Sequence, residues 1–511
     1  MSTAKKFAGQ TAIYGVSTIA GRVLNFFLTP LYTSAKVYAP GAYGVLTTMF
    51  SYVSVLNSVL AFGMETTFFR YLNKHPENKQ RVYNNAFASV VAITIIFLLF
   101  TLPFIGPIAN FIDVSRGAVL THAASSTKIA TSHSDFVTYI DYFLAILVID
   151  AWCVIPFAKI RADGKPGRYG IIKLINIGIF ISLNLTFILV LPYWIRHHLV
   201  GASWISSWYV RGWVGYVFLS NLAGSIVTFL LLLPELLKIR FDFDRKMLLD
   251  MYSYSWPVLI ANLSYIINEN LDKILLGQLL PAKVSLHDVG IYGACAKISL
   301  FLSIFIQAFR LGAEPFFFSH AKNKNAGQTY ASIMDYFVIA VCVIFVGLIA
   351  NIEILKYFIP NKAYWVGLPV VPPLVFGYVS LGIYMNLSVW YKLSDQTKYG
   401  LYISGVGAIL TIILNVLFIP KYSYMASAWV SLIAYAAMMV LSYIWGQKNY
   451  PIPYNLKKNL GYIISSIIIV YHRPEFYFEQ KQAKKESRTK SQESRQGVNK
   501  AISYPLLWFH I

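Results

Sequence analysis

The stretch AYGVLTTMFSYVSVLNSVLAFGMETTFFRYL (42–72) decides the fold, because it recurs without a gap as IYGACAKISLFLSIFIQAFRLGAEPFFFSHA (291–321). Tyr43 and Gly44 match Tyr292 and Gly293, Gly63 and Glu65 match Gly312 and Glu314, and Phe68 and Phe69 match Phe317 and Phe318. From Val45 to Met64 the first copy carries no charge, over the ~20 residues that a helix needs to cross a bilayer. A glutamate closing such a run is costly unless it is paired, solvated or functional. Its repetition makes it part of the architecture.

Composition fixes the class. Of 511 residues, 57% are hydrophobic and only 13% charged, with a mean hydropathy of +0.56. A soluble domain carries roughly 25% charged residues. Apolar runs near spanning length fall at about 11–33, 44–69, 85–112, 139–160, 170–192, 212–234, 254–280, 290–318, 332–359, 366–391, 399–420 and 423–446. Six spans separate the two copies, an even number, so both copies point the same way. This predicts an all-α integral membrane protein of two parallel six-helix bundles, 1–238 and 239–447, around a central cavity.

A partial thirteenth helix (448–470) and a polar tail (471–511) follow. The apolar run from Leu460 to Tyr471 reaches only ~18 Å of the ~30 Å hydrocarbon core. The tail holds 8 basic and 4 acidic residues, a composition expected to be disordered. A frame change or truncation within helix 13 would explain both.

The net charge of +21 resides in the loops, which argues against nucleic acid as a partner. With the N-terminus inside, 22 basic residues lie in inner segments and 9 in outer ones, so the N-terminus is expected in the cytoplasm. MSTAKKFAGQ leads straight into a span with no cleavage site, which reads as an uncleaved first helix. Cys153, Cys295 and Cys342 are isolated in apolar segments, without the spacing of a metal site or a disulfide framework.

Four cations lie within spans: Arg22, Lys273, Lys297 and Arg310. Each should face protein or water, since a cation at membrane depth costs at least ~2.5 kcal/mol. Span 7 carries a stripe of Asn262, Tyr265, Glu269 and Asp272, and Glu269 precedes Lys273 by four residues, the favourable order for a helical pair. Span 1 holds Arg22 and Asn25 one turn apart. A cavity lined by Arg22, Asn25, Lys273, Lys297 and Arg310 would suit an anionic substrate such as a diphosphate. Glu65, Glu269, Asp272 and Glu314 are the candidates for coupling or gating, Glu314 being one turn from Arg310. For the acids, simple helix-to-helix pairing is the competing reading.

Other signals point less far. Asp242 and Asp244 form a D-x-D that would hold a metal and a nucleotide sugar in a glycosyltransferase, but no α/β domain surrounds it. His197-His198 has no acids at ligand spacing. Neither a cofactor nor a metal site is expected.

LTPLYTSAKVYAPGAYGVL (28–46), GMETTFFRYL, IPFAKIRADGKPGRYGIIKLINIGIFISLNL (155–185) and YSWPVLIANLSYIINENLDKILL (254–276) together resemble the polysaccharide-exporting, Wzx-type branch of the multidrug/oligosaccharidyl-lipid/polysaccharide superfamily. The resemblance covers roughly residues 5–470. It implies the two-bundle fold of multidrug exporters, a bacterial inner-membrane location, and alternating-access transfer of an undecaprenyl-diphosphate-linked oligosaccharide to the outer leaflet, as in O-antigen and lipopolysaccharide assembly. Arg22, Lys273 and the other span cations would then contact the diphosphate. Membrane lipids, a coupling H+ or Na+ and a polysaccharide polymerase are the implied partners, and no catalysis is implied. The first outer loop, TSAKVYAP, is longer than the family's usual turn. Two alternatives remain: a cation-coupled multidrug exporter, disfavoured by a first helix with Arg22 and no acid, and a membrane polymerase or glycosyltransferase, disfavoured by outer loops with little chemistry.

Overall fold

The computed structural model describes residues 21, 23–24, 26–113, 133–240, 242–321, 323–394 and 396–472, with backbone alone at 133, 311, 314, 315, 318 and 319. The described end of the first span is α1 (Thr29–Tyr32). The first half continues with α2 (Pro40–Ala61), α3 (Lys79–Thr101), α4 (His133–Ala162), α5 (Pro166–Leu185) and α6 (Gly215–Leu236). The second comprises α7 (Arg245–Leu279), α8 (Ala282–His320), α9 (Ala326–Ala350), α10 (Val371–Leu387), α11 (Lys398–Tyr422) and α12 (Tyr424–Asn449), with α13 (Leu456–Tyr471) beyond. No strand occurs among the described residues.

Ten described helical segments are long and apolar enough to cross a membrane. Of the twelve expected spans, the first lies mostly outside the described residues. The seventh is α7, one continuous helix of 35 residues whose polar side chains lower its hydropathy. Helix α13 begins at Leu456, earlier than the apolar run suggested, so its 16 residues reach ~24 Å. Residues 473–511, the expected disordered tail, lie outside the described residues.

Packing repeats with the sequence. In the first half α4 packs on α6, α5 on α6, α3 on α4 and α2 on α4; in the second α10 packs on α12, α11 on α12, α9 on α10 and α8 on α10. The halves meet where α2 crosses α8. A methyl group at Gly44 would overlap the Leu286 carbonyl, and one at Gly290 would overlap that of Pro40. At Gly293 a methyl would lie 2.6 Å from Thr47 Oγ1. Within a bilayer, where lipid competes for apolar surface, such close backbone approach is a main source of helix association.

The repeat is broken at one position. Phe62 (φ 48°) and Gly63 (φ 67°) are both left-handed and end α2, and a second segment, Met64–Lys74, restarts beyond them. At the matching Gly312, α8 runs through. The neighbours differ: Gly63 abuts the Ser255 carbonyl and Val258 of α7 at 3.0 Å, whereas Gly312 faces open space. Thr67 then shares a hydrogen with Ser255 at 2.6 Å, fixing the new segment to α7.

Asp242 and Asp244 belong to this scaffold. Asp242 pairs with Arg81 at 2.9 Å, and Asp244 caps α7 by accepting from Met247 N at 3.0 Å. Buried Asn84 and Asn85 donate to the carbonyls of Asp242 and Asp244 at 3.3 and 3.0 Å. The chain linking the halves is thereby clamped to α3, a structural use for the D-x-D.

Candidate functional site

A cavity of about 370 Å³ opens between the two halves. The first half contributes Thr29 and Tyr32 of α1, Thr47 and Ser51 of α2, Asn176 of α5 and Asn221 of α6; the second contributes Asn270 and Lys273 of α7 and Lys297 of α8. Hydroxyls and amides make most of the polar lining. Two lysines supply charge, and no carboxylate lines the cavity among the described residues.

The lysines differ in surroundings. Lys273 Nζ contacts Asp272 Oδ1 at 3.0 Å and donates to the backbone carbonyl of Glu269 at 2.7 Å. The expected pairing with the Glu269 carboxylate is therefore replaced. The lysine stem folds back one turn to the carbonyl, and the neighbouring carboxylate is drawn to the ammonium. Asp272 is buried and also accepts from Tyr292 Oη of α8 at 2.5 Å, which makes the pair part of a bridge between adjacent helices. Lys297 is half-buried and has no hydrogen-bonding or ion-pair partner among the described residues, although Lys273 and Glu269 lie within its electrostatic reach. Glu269 is half-buried and outside the lining.

Arg310 is not at this cavity. It lies in a narrow cleft between α8, α9 and α10, with Phe337 and Asn386, and reaches Met385 Sδ at 4.0 Å. The reason is depth: three and a half turns beyond Lys297, α8 has left the interface between the halves and entered its own bundle. Arg22, Asn25 and the Glu314 side chain lie outside the described residues.

Glu65 serves in helix-to-helix pairing, the competing reading for the acids. It forms an ion pair with Arg161 of α4, inside the first half. Arg70, five residues along the chain, stacks over Tyr254 with its guanidinium carbon 4.1 Å from the ring centroid. Nearby, Arg168 grips Glu235 through two hydrogen bonds of 2.6 and 2.7 Å, and Glu235 is 1% exposed. Two charge pairs thus tie helices together at the end of the first half that carries the basic loops.

Three polar positions escaped the sequence reading. Asn268, not Asn262, is the buried amide of α7; it accepts from Thr411 Oγ1 of α11 at 3.0 Å, while Asn262 is exposed. Asp150 accepts from Ser225 Oγ at 2.7 Å between α4 and α6. Glu235 is the third. A search for acids within the spans, as well as for cations, would have flagged Asp150, and one extended a residue past the sixth span Glu235; only packing distinguishes Asn268 from its neighbours.

Comparison with known proteins follows the same lines. Residues 174–317 match the model of the family described as polysaccharide biosynthesis protein. No curated protein matches the sequence significantly. Among solved structures, the lipid II flippase MurJ in an inward closed conformation aligns with a TM-score of 0.67 at 14% identity, covering 95% of this chain and 99% of that one. An inward-facing multidrug resistance MATE family transporter of the MOP superfamily aligns at 0.62 and 12% identity, covering 86% and 94%. A MATE in complex with MaL6 aligns at 0.57 and 14%, covering 86% and 96%. The chain therefore has the fold that MurJ and the MATE transporters share, and its residues 174–317 carry the pattern of polysaccharide biosynthesis proteins.

Proposed function

We propose that the protein is a flippase that carries an undecaprenyl-diphosphate-linked oligosaccharide from the inner to the outer leaflet of a bacterial cytoplasmic membrane by alternating access. One observation carries the reading: the cavity between the halves presents Lys273 and Lys297 and, among the described residues, no carboxylate. A diphosphate entering it meets ammonium groups as charge-assisted donors, and the surrounding hydroxyls and amides can hydrogen-bond sugar. The polysaccharide-biosynthesis match across 174–317 and the flippase fold support the same substrate class. A cytoplasmic N-terminus is part of the proposal, as are the bundle limits 1–238 and 239–447 and a coupling H+ or Na+. A multidrug exporter shares the fold, but a cationic cavity repels the cations that such an exporter would be expected to carry.

Complementation of a flippase-deficient strain tests the proposal. The wild-type gene should restore surface glycan, and Lys297→Ala at equal membrane level should not. Normal glycan from Lys297→Glu would remove the cationic-cavity mechanism.

A further inference from the structure

A second cavity, of about 240 Å³, opens at the end of the first half opposite the basic loops. It lies between the loop after α1, the helical continuation of α5 and the loop into α6. Lys36, Arg196 and Arg211 bring three positive charges, and Tyr38, Tyr209 and Tyr216 line the walls. Among the described residues none of the three cations is in an ion pair, and no acid lines the cavity; Asp135 lies beside it, held by Trp213 Nε1 at 2.8 Å.

Interfacial aromatics would be the simplest account of such rings, since they anchor helices at the headgroup level with their polar tips in water. The rings here are arranged otherwise. Phe187 stacks on Tyr216 at 4.6 Å and 8°, and Tyr209 stacks on Tyr216 at 5.3 Å and 7°. Their polar tips are engaged within the protein: Tyr209 Oη donates to the Phe187 carbonyl at 2.6 Å, and Tyr216 Oη accepts from Val210 N at 2.9 Å. The result is a fixed aromatic column beside cations. Phe187 belongs to a five-residue π-helix, Thr186–Val190, that interrupts the α-helical run from α5. Such wide turns are rare and occur frequently at functional sites.

We propose that this cavity binds an acidic sugar unit. The carboxylate would pair with Arg196, Arg211 and Lys36, and the apolar C–H face of the pyranose would lie against the rings, whose negative faces attract polarised hydrogens. That the sugar belongs to the transported glycan rests on the flippase reading; the binding chemistry does not. A lipid phosphate offers the same charge without a pyranose face, and the test separates the two.

Full-length protein in phosphatidylcholine nanodiscs is titrated calorimetrically with tri-galacturonate, neutral galactotriose and glycerol phosphate. Tri-galacturonate should bind, galactotriose should not, and Arg196→Ala or Arg211→Ala should weaken binding about tenfold, the loss of one charge-assisted contact. Both arginines are exposed, so neither variant disturbs the core. Absence of binding, affinity unchanged in both variants, or glycerol phosphate binding as tightly as the sugar would overturn the proposal. Lys297→Ala should leave this affinity unaltered while surface glycan is lost in cells. Normal surface glycan with intact tri-galacturonate binding would count against the flippase reading alone.

Discussion

Tyr292 of α8 donates to Asp272 of α7 at 2.5 Å, and the same carboxylate holds Lys273 at 3.0 Å. The second half thus neutralises one of its two cavity cations internally and leaves the other, Lys297, without an ion pair among the described residues.

From this asymmetry, Lys297→Ala should reduce surface glycan about tenfold or more, the effect of one charge-assisted hydrogen bond to a diphosphate. Lys273→Ala should have a smaller effect, because Asp272 already offsets that charge and keeps Tyr292 as a partner. Complementation normalised to membrane protein level measures both. A larger defect in Lys273→Ala would reverse the assignment.

The matched glycines Gly63 and Gly312 should respond oppositely to alanine. Gly63 needs a left-handed backbone and abuts α7, so Gly63→Ala should destabilise by about 1 kcal/mol or more. Gly312 is helical with open space beside it, where alanine is favoured by about 1 kcal/mol. Thermal unfolding midpoints in detergent would show one falling and the other holding or rising.

Burial separates the two charge pairs near the basic loops. The side chain of Glu65 is 45% exposed, so a double-mutant cycle with Arg161 should give a coupling of about 1 kcal/mol or less. Glu235 is 1% exposed, and Arg168→Ala would leave it Lys238, at 3.8 Å, as its ion-pair partner among the described residues, at a cost of about 3 kcal/mol. Adding Glu235→Gln to Arg168→Ala should recover part of that loss; no recovery would mean that packing, not charge, is the main contribution.

Topology can be read with reporter fusions at the exposed residues Lys36 and Lys79. A periplasm-active reporter should work after Lys36 and be silent after Lys79, following the bias in basic residues. The opposite pattern would place the proposed sugar cavity on the cytoplasmic side.

Apolar runs, the repeated Y-G…G-x-E and the loop charges determined by themselves that the chain is helical, spans a membrane and is built twice in one orientation. These are properties of composition and period, and the bilayer enforces them because backbone polar groups in lipid must be satisfied within each helix. Lys273 and Lys297 were legible as cavity residues for the same reason: a cation in a span has few places to go. Only the tertiary structure decided the partners. Glu65 turned to Arg161 of another helix, Lys273 to Asp272 and not the Glu269 carboxylate, and Arg310 to a cleft inside its own bundle. It also decided that the same glycine breaks one helix and not its repeat. Each of these depends on which side chains a neighbouring helix, distant in the chain, brings within a few ångströms, and spacing along a single helix carries no record of that.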